Sequence, residues 1–160
     1  MTTAKLPSNS HPASLLRRLG AIVYDTLLLF AILFIAIALV LPLNGGQAVP
    51  AGNPWFSAYL FLVGFIFYGG FWTHGGQTLG MRAWRIRLQR YDGGPVNWWQ
   101  ALARFTLASL WLLPMIYLRK ILGASFGVSL TAGLGCLLLL LSLRLHDHYS
   151  ETVLMYVPPR

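Results

Sequence analysis

Four apolar stretches divide the chain. Residues 19–41 are apolar apart from Asp25, and at a helical rise of about 1.5 Å these 23 residues cover the roughly 30 Å hydrocarbon layer of a bilayer. Residues 42–54 hold three prolines, three glycines, two asparagines and no charge, which predicts a turn-rich loop. Residues 55–72 are uncharged and carry Trp55 and Trp72 at their ends, where the amphipathic indole favours the membrane interface. Gly64, Gly69 and Gly70 within this span allow close helix approach. Residues 98–118 form a third apolar segment, interrupted by Arg104 and Pro114, and residues 121–143 form a fourth that is uncharged throughout. Only Arg119 and Lys120 separate these two, so they read as a tight helical hairpin whose turn extends toward Ser125, with Gly123 and Gly127 at a GxxxG spacing.

The polar stretch 74–97 has a different rhythm. Trp84, Ile86 and Leu88 alternate with Arg85, Arg87 and Gln89, the period of two that suits a strand, and Asp92-Gly93-Gly94-Pro95 follows as a turn. A short amphipathic hairpin or an interface-lying strand is predicted, with an amphipathic helix as the alternative. Residues 1–14 are polar and read as a flexible cytoplasmic N-terminus, leaving 15–157 as one transmembrane domain.

Composition agrees with a membrane solvent. The chain is 56% hydrophobic and 10% charged, against roughly 25% charged in soluble domains, which excludes a typical cytosolic enzyme. The net charge of +8 raises the question of nucleic acid, yet the basic residues flank apolar runs, where Lys and Arg fix topology and meet anionic headgroups. With both termini in the cytoplasm, ten basic residues lie inside: Lys5, Arg17, Arg18, Arg82, Arg85, Arg87, Arg90, Arg104, Arg144 and Arg160. Arg119 and Lys120 lie outside. The expected architecture is therefore an all-α integral membrane protein of four spans, with a basic cytoplasmic loop. Three spans, with the third segment in the interface, is the alternative. A cleaved signal peptide fits poorly, because the first apolar run is too long and no clear small-residue cleavage pattern follows it. Cys136 stands alone within an apolar run and cannot form an internal disulfide.

Chemistry is sparse. Asp25, inside or near the hydrocarbon boundary, is an expensive residue that needs a partner. Arg18, two helical turns earlier, is about 10 Å away along the axis, so Arg104, at the same expected depth, is the better candidate. The pair is either an interhelical clamp or part of a proton or cation relay. After the fourth span, Arg144 and Asp147 are spaced to pair on a helix, while His146 and His148, with His74, are too unspecific a set to imply a metal site. Residues 75–82 resemble a phosphate loop superficially but lack its Gly-Lys-Ser/Thr ending. Four acids in all, Asp25, Asp92, Asp147 and Glu151, offer little for acid–base catalysis. No enzymatic activity, cofactor or metal is expected.

Arg18-x-x-Ala21-x-x-x-Asp25, residues 76–82 (GQTLGMR), Asp92-Gly93-Gly94, Gln100-Ala101-Leu102-x-Arg104 and Leu145-His146-Asp147 together resemble the RDD family of small prokaryotic multi-pass membrane proteins. The resemblance runs from about Leu15 to Val157. By position, the arginine and two aspartates that name the family fall on Arg18, Asp25 and Asp147. Met81 stands where the family usually has lysine, His148 where it has a basic residue, and Ser150-Glu151-Thr152 where it has Ala-Gly-Thr. The resemblance implies a plasma-membrane protein, with transport, including cation/proton exchange, suggested for some members. Two functions are expected from these readings. One is small-cation or proton-coupled transport through Asp25, tuned by Arg18 or Arg104 and gated at Asp147, within an oligomer. The other is a non-catalytic assembly or interaction subunit whose Arg82, Arg85, Arg87 and Arg90 hold anionic lipid or a larger membrane partner.

Overall fold

The computed structural model describes residues 11–50, 52–143 and 145–158, without the side chains of Leu145 and His146. Helix α1 (Leu15–Leu43) is inverted relative to a helix in water. Its inward stripe is Arg18, Ala21, Asp25 and Ala36, whereas Leu27, Phe30 and Phe34 are 67%, 67% and 73% exposed. Lipid is the solvent for that face, so leaving those side chains uncovered costs nothing there. Helix α2 (Pro54–His74) starts where Asn53 Oδ1 accepts from the amides of Trp55 and Phe56, with Pro54 at the first position. Gly64 admits Phe105, and Gly69 admits Trp98. Trp55 is 84% exposed, as an interfacial tryptophan should be, but Trp72 is buried in the core.

The third segment is two helices, α4 (Trp98–Ser109) and α5 (Leu112–Lys120), bent by 42°. Pro114 causes the break: it has no N–H for the Leu110 carbonyl and its ring crowds that oxygen. Lys120 Nζ lies 3.9 Å from where a Cβ on Gly52 would sit, in the loop that joins α1 to α2. The bent pair therefore runs the full length of the bundle. Helix α6 (Phe126–Leu143) returns beside it, with Gly133 against Trp111 and Met115. Among the described residues three helices are long and apolar enough to cross a membrane alone, and the count is four if the bent pair is one span. Gly123, at φ 63°, belongs to the turn, so the expected GxxxG face with Gly127 is not on one helix.

The buried ionisable side chains Arg18, Asp25, Arg104 and Asp147 gather at the opposite end from Lys120. There α3 (Leu79–Ala83) follows α2, strand β1 (Ile86–Arg90) leads back toward α4, and α7 (Leu145–Tyr149) with strand β2 (Thr152–Tyr156) closes the chain. The strand over 86–90 matches its period of two, burying Ile86 and Leu88 to 1% exposure. The expected local hairpin is corrected: β1 pairs antiparallel with β2, Ile86 opposite Tyr156 and Arg90 opposite Thr152. The turn at 92–94 does form, with the Arg90 amide on the Gly94 carbonyl. The chain beyond it cannot return as a strand because Asn97 and Gln100 make a reciprocal capping box that starts α4.

The N-terminal segment joins the same ladder. The Ala13 amide donates to Leu154 O and the Tyr156 amide to His11 O, each at 2.8 Å. Residues 11–14 are thus docked rather than free, and the rest of the expected flexible tail lies outside the described residues. Residues 11–13, strand β1 and strand β2 meet in one cap, an arrangement that suits an even number of crossings on either side of the 75–97 loop.

Glu151, between α7 and β2, has φ 52°, a left-handed conformation that costs an L-residue about 1–2 kcal/mol. It makes no ion pair among the described residues. Glu151→Gly is expected to stabilise the protein by up to about 1 kcal/mol, since glycine's extra unfolded-state freedom offsets part of the relief. The thermal midpoint in detergent should rise by a few degrees, and a fall would show that the side chain contributes more than the backbone strain costs.

Candidate functional site

Two carboxylates are buried in the cap, each 3% exposed. Asp147 on α7 takes both arginines. Arg18 Nη1 on α1 donates to its Oδ2 at 2.7 Å, and Arg104 Nη1 on α4 donates to its Oδ1 at 2.5 Å. The network continues outward: Arg18 Nε donates to Ala13 O at 3.1 Å, and Arg104 Nη1 to Thr152 Oγ1 at 3.0 Å, which shares a 2.7 Å hydrogen bond with Ser150 Oγ. The Arg104 guanidinium lies over the Trp72 ring at 5.7 Å, which explains why that tryptophan sits inside. A single side chain thus ties α1, α4 and α7 together, and Arg104 extends the tie to β2.

Asp25 does not meet Arg104, contrary to expectation. Its Oδ2 accepts from Thr78 Oγ1 at 2.5 Å and its Oδ1 from the Gly80 amide at 2.9 Å. Thr78 is fully buried and its Oγ1 also accepts from the Met81 amide at 3.1 Å, capping α3. The carboxylate is therefore satisfied by hydroxyl and amide dipoles at the start of α3 rather than by a cation. Sequence dictates this through glycine. A Cβ on Gly80 would sit 2.4 Å from Ala21 O and 2.8 Å from Asp25, and one on Gly20 would enter the Trp84 ring at 2.1 Å. Gly76, at φ 70°, would bring a Cβ to 2.4 Å from Leu88 O. The glycines of residues 75–80 let the chain leave α2 and press α3 onto α1.

The four loop arginines stand in different surroundings. Arg90 is neutralised by exposed Asp92, whose carboxyl is held below its ordinary value chiefly by the Gly94 amide, with Arg90 adding to it. Arg87 packs beside Gly76. Arg85 has φ 55° and its carbonyl accepts from the Val157 amide. Arg82, at the end of α3, is exposed and has no acid partner among the described residues. Arg17, which sequence reasoning used only as a topology charge, lies 4.3 Å from the Tyr156 ring centroid. His74 bonds Gly70 O at 2.9 Å and His148 packs edge-on to Tyr149. Arg144 and the His146 side chain lie outside the described residues, and among those described no three His, Cys, Asp or Glu side chains gather as a metal site needs.

Thr78, Gly80, Ser150, Thr152 and Trp72 complete the site without having been singled out for it. Thr78 and Gly80 lay in plain view within the 76–82 motif, but a backbone amide leaves no mark in a side-chain inventory. Chemically, the arrangement joins segments: both carboxylates are engaged by protein donors.

No curated protein and no solved structure compared with the chain matches it significantly. The motifs that the cap assembles, from Arg18 through Asp25 and Thr78 to Arg104 and Asp147, all fall within the 12–151 segment that matches the RDD family. This multi-pass membrane protein belongs to the RDD family.

Proposed function

We propose that the chain is a non-catalytic membrane interaction subunit, its buried charges serving as clamps and its cap presenting arginine to anionic lipid headgroups. The observation that carries this reading is the engagement of Asp25 by Thr78 and Gly80 at 3% exposure. A proton or cation carrier needs a carboxylate that exchanges with water, and this one is held by protein dipoles. The cap side carries Arg17, Arg18, Arg82, Arg85, Arg87, Arg90 and Arg104, and the far side Arg119 and Lys120. That imbalance favours the cap facing the cytoplasm of a prokaryotic inner membrane, where surface cations gain about 1 kcal/mol each from anionic lipid.

Two measurements test it. Purified protein should retain phosphatidylglycerol in preference to phosphatidylcholine, and equal retention would overturn the proposal. In proteoliposomes under a pH or sodium gradient, Asp25→Asn should leave flux at the wild-type background while lowering stability by about 1–2 kcal/mol, because the amide keeps an acceptor for Gly80 but loses the charge-assisted bond to Thr78. A wild-type flux that the substitution abolishes would establish transport instead.

A further inference from the structure

A groove of about 410 Å3 runs along the outer face of α2, within the roughly 300–1,000 Å3 typical of small-ligand clefts. Ile66, Phe67, Gly70 and Phe71 form its walls, and His74 and Arg82 lie at its polar end. From Ile66 to His74 the helix rises about 12 Å, so the groove passes from lipid-exposed surface to the cap.

Two features are unexplained by the fold. Glycine inside a helix is destabilising, and Gly64 and Gly69 repay this by admitting Phe105 and Trp98, yet among the described residues nothing comes within 4 Å of a Cβ on Gly70. Arg82, unlike Arg18, Arg90 and Arg104, has no carboxylate among the described residues. A notch opened toward lipid and an unpaired guanidinium at its headgroup end complement one kind of molecule, an apolar chain carrying an anionic phosphate. We infer that this groove holds a single anionic phospholipid, its acyl chain over Gly70 and its phosphate on Arg82. The inference rests on the anionic-lipid reading above and gives it one address.

The test is native mass spectrometry of the full-length protein titrated with phosphatidylglycerol, phosphatidylcholine of the same chains, and glycerol phosphate. Phosphatidylglycerol should bind about tenfold more tightly than phosphatidylcholine, and glycerol phosphate should not compete. Arg82→Gln should remove that preference. Gly70→Leu fills the notch where no neighbour stands, so it should weaken phosphatidylglycerol about tenfold without lowering the thermal midpoint. In the unsubstituted protein, a photoactivatable phosphatidylglycerol labelled in its acyl chain should crosslink to the 66–74 peptide, which serves if either variant misfolds. Retained preference for phosphatidylglycerol with undiminished binding to Gly70→Leu, or crosslinks elsewhere, would overturn the groove while leaving a diffuse basic surface. Equal binding of both lipids would overturn the groove and the wider reading together, and competition by glycerol phosphate would show that a free phosphate suffices.

Discussion

Asp147→Asn is expected to prevent the protein from accumulating in a folded state, the largest effect of any single substitution in the cap. Arg18 and Arg104 are 2% and 4% exposed and both donate to Asp147. Removing the carboxylate strands two guanidinium groups in a dry site, and breaking a buried pair typically costs about 3–5 kcal/mol because of the charge left behind. Here there are two such charges, and Arg18 Nη2 is already buried without a hydrogen-bond partner among the described residues. Against a total stability of about 5–15 kcal/mol for folded domains, this leaves little margin. The converse substitution calibrates the argument. Arg104→Met leaves Asp147 its bond from Arg18, at the expense of the hydrogen bond to Thr152, and should be milder. Thermal unfolding and yield in one detergent would rank the two. If Asp147→Asn lay within 1 kcal/mol of wild type, or below Arg104→Met in cost, the clamp described here would be wrong.

That ranking reverses the emphasis drawn from sequence, and the reason is physical. Hydropathy locates residues along the membrane normal, because lipid demands apolar side chains at a given depth and little else. The crossings were therefore legible, as was the strand at 86–90 from its period of two. Depth says nothing about rotation around that normal. Asp25, Arg104, Thr78 and Asp147 all belong to the same end of the bundle, and choosing Arg104 as the partner of Asp25 weighed charge against charge while ignoring a hydroxyl and a backbone amide. The strand's partner was hidden for a related cause. Residues 152–156 are a fair strand sequence, but the ladder joins them to β1 across two crossings, and only the packed bundle brings both ends together. Pro114, legible as an interruption, does break the third segment, and a turn reaching Ser125 takes Gly123 off the helix that carries Gly127.

Gly80→Ala tests the second buried carboxylate and is expected to cost about 3 kcal/mol or more. The new Cβ would lie 2.4 Å from Ala21 O and 2.8 Å from the Asp25 carboxyl, and a helix carbonyl cannot yield as a flexible side chain does, so overpacking of about 1–3 kcal/mol follows. Any displacement of α3 that relieves it also withdraws the Gly80 amide and Thr78 hydroxyl from Asp25, leaving a buried acceptor unsatisfied at about 1–3 kcal/mol. Gly70→Ala is the matched control: the same substitution in a neighbouring helix, with none of the described residues within 4 Å of the new Cβ, should gain up to about 1 kcal/mol. The double variant Gly80→Ala with Asp25→Asn separates the two contributions. If the penalty passes through the lost amide and hydroxyl contacts, the second substitution removes the charge that suffers from them, and the pair will cost less than the sum of its members. Additivity within about 0.5 kcal/mol, the behaviour of independent sites, would mean that Asp25 and α3 are neighbours without being coupled.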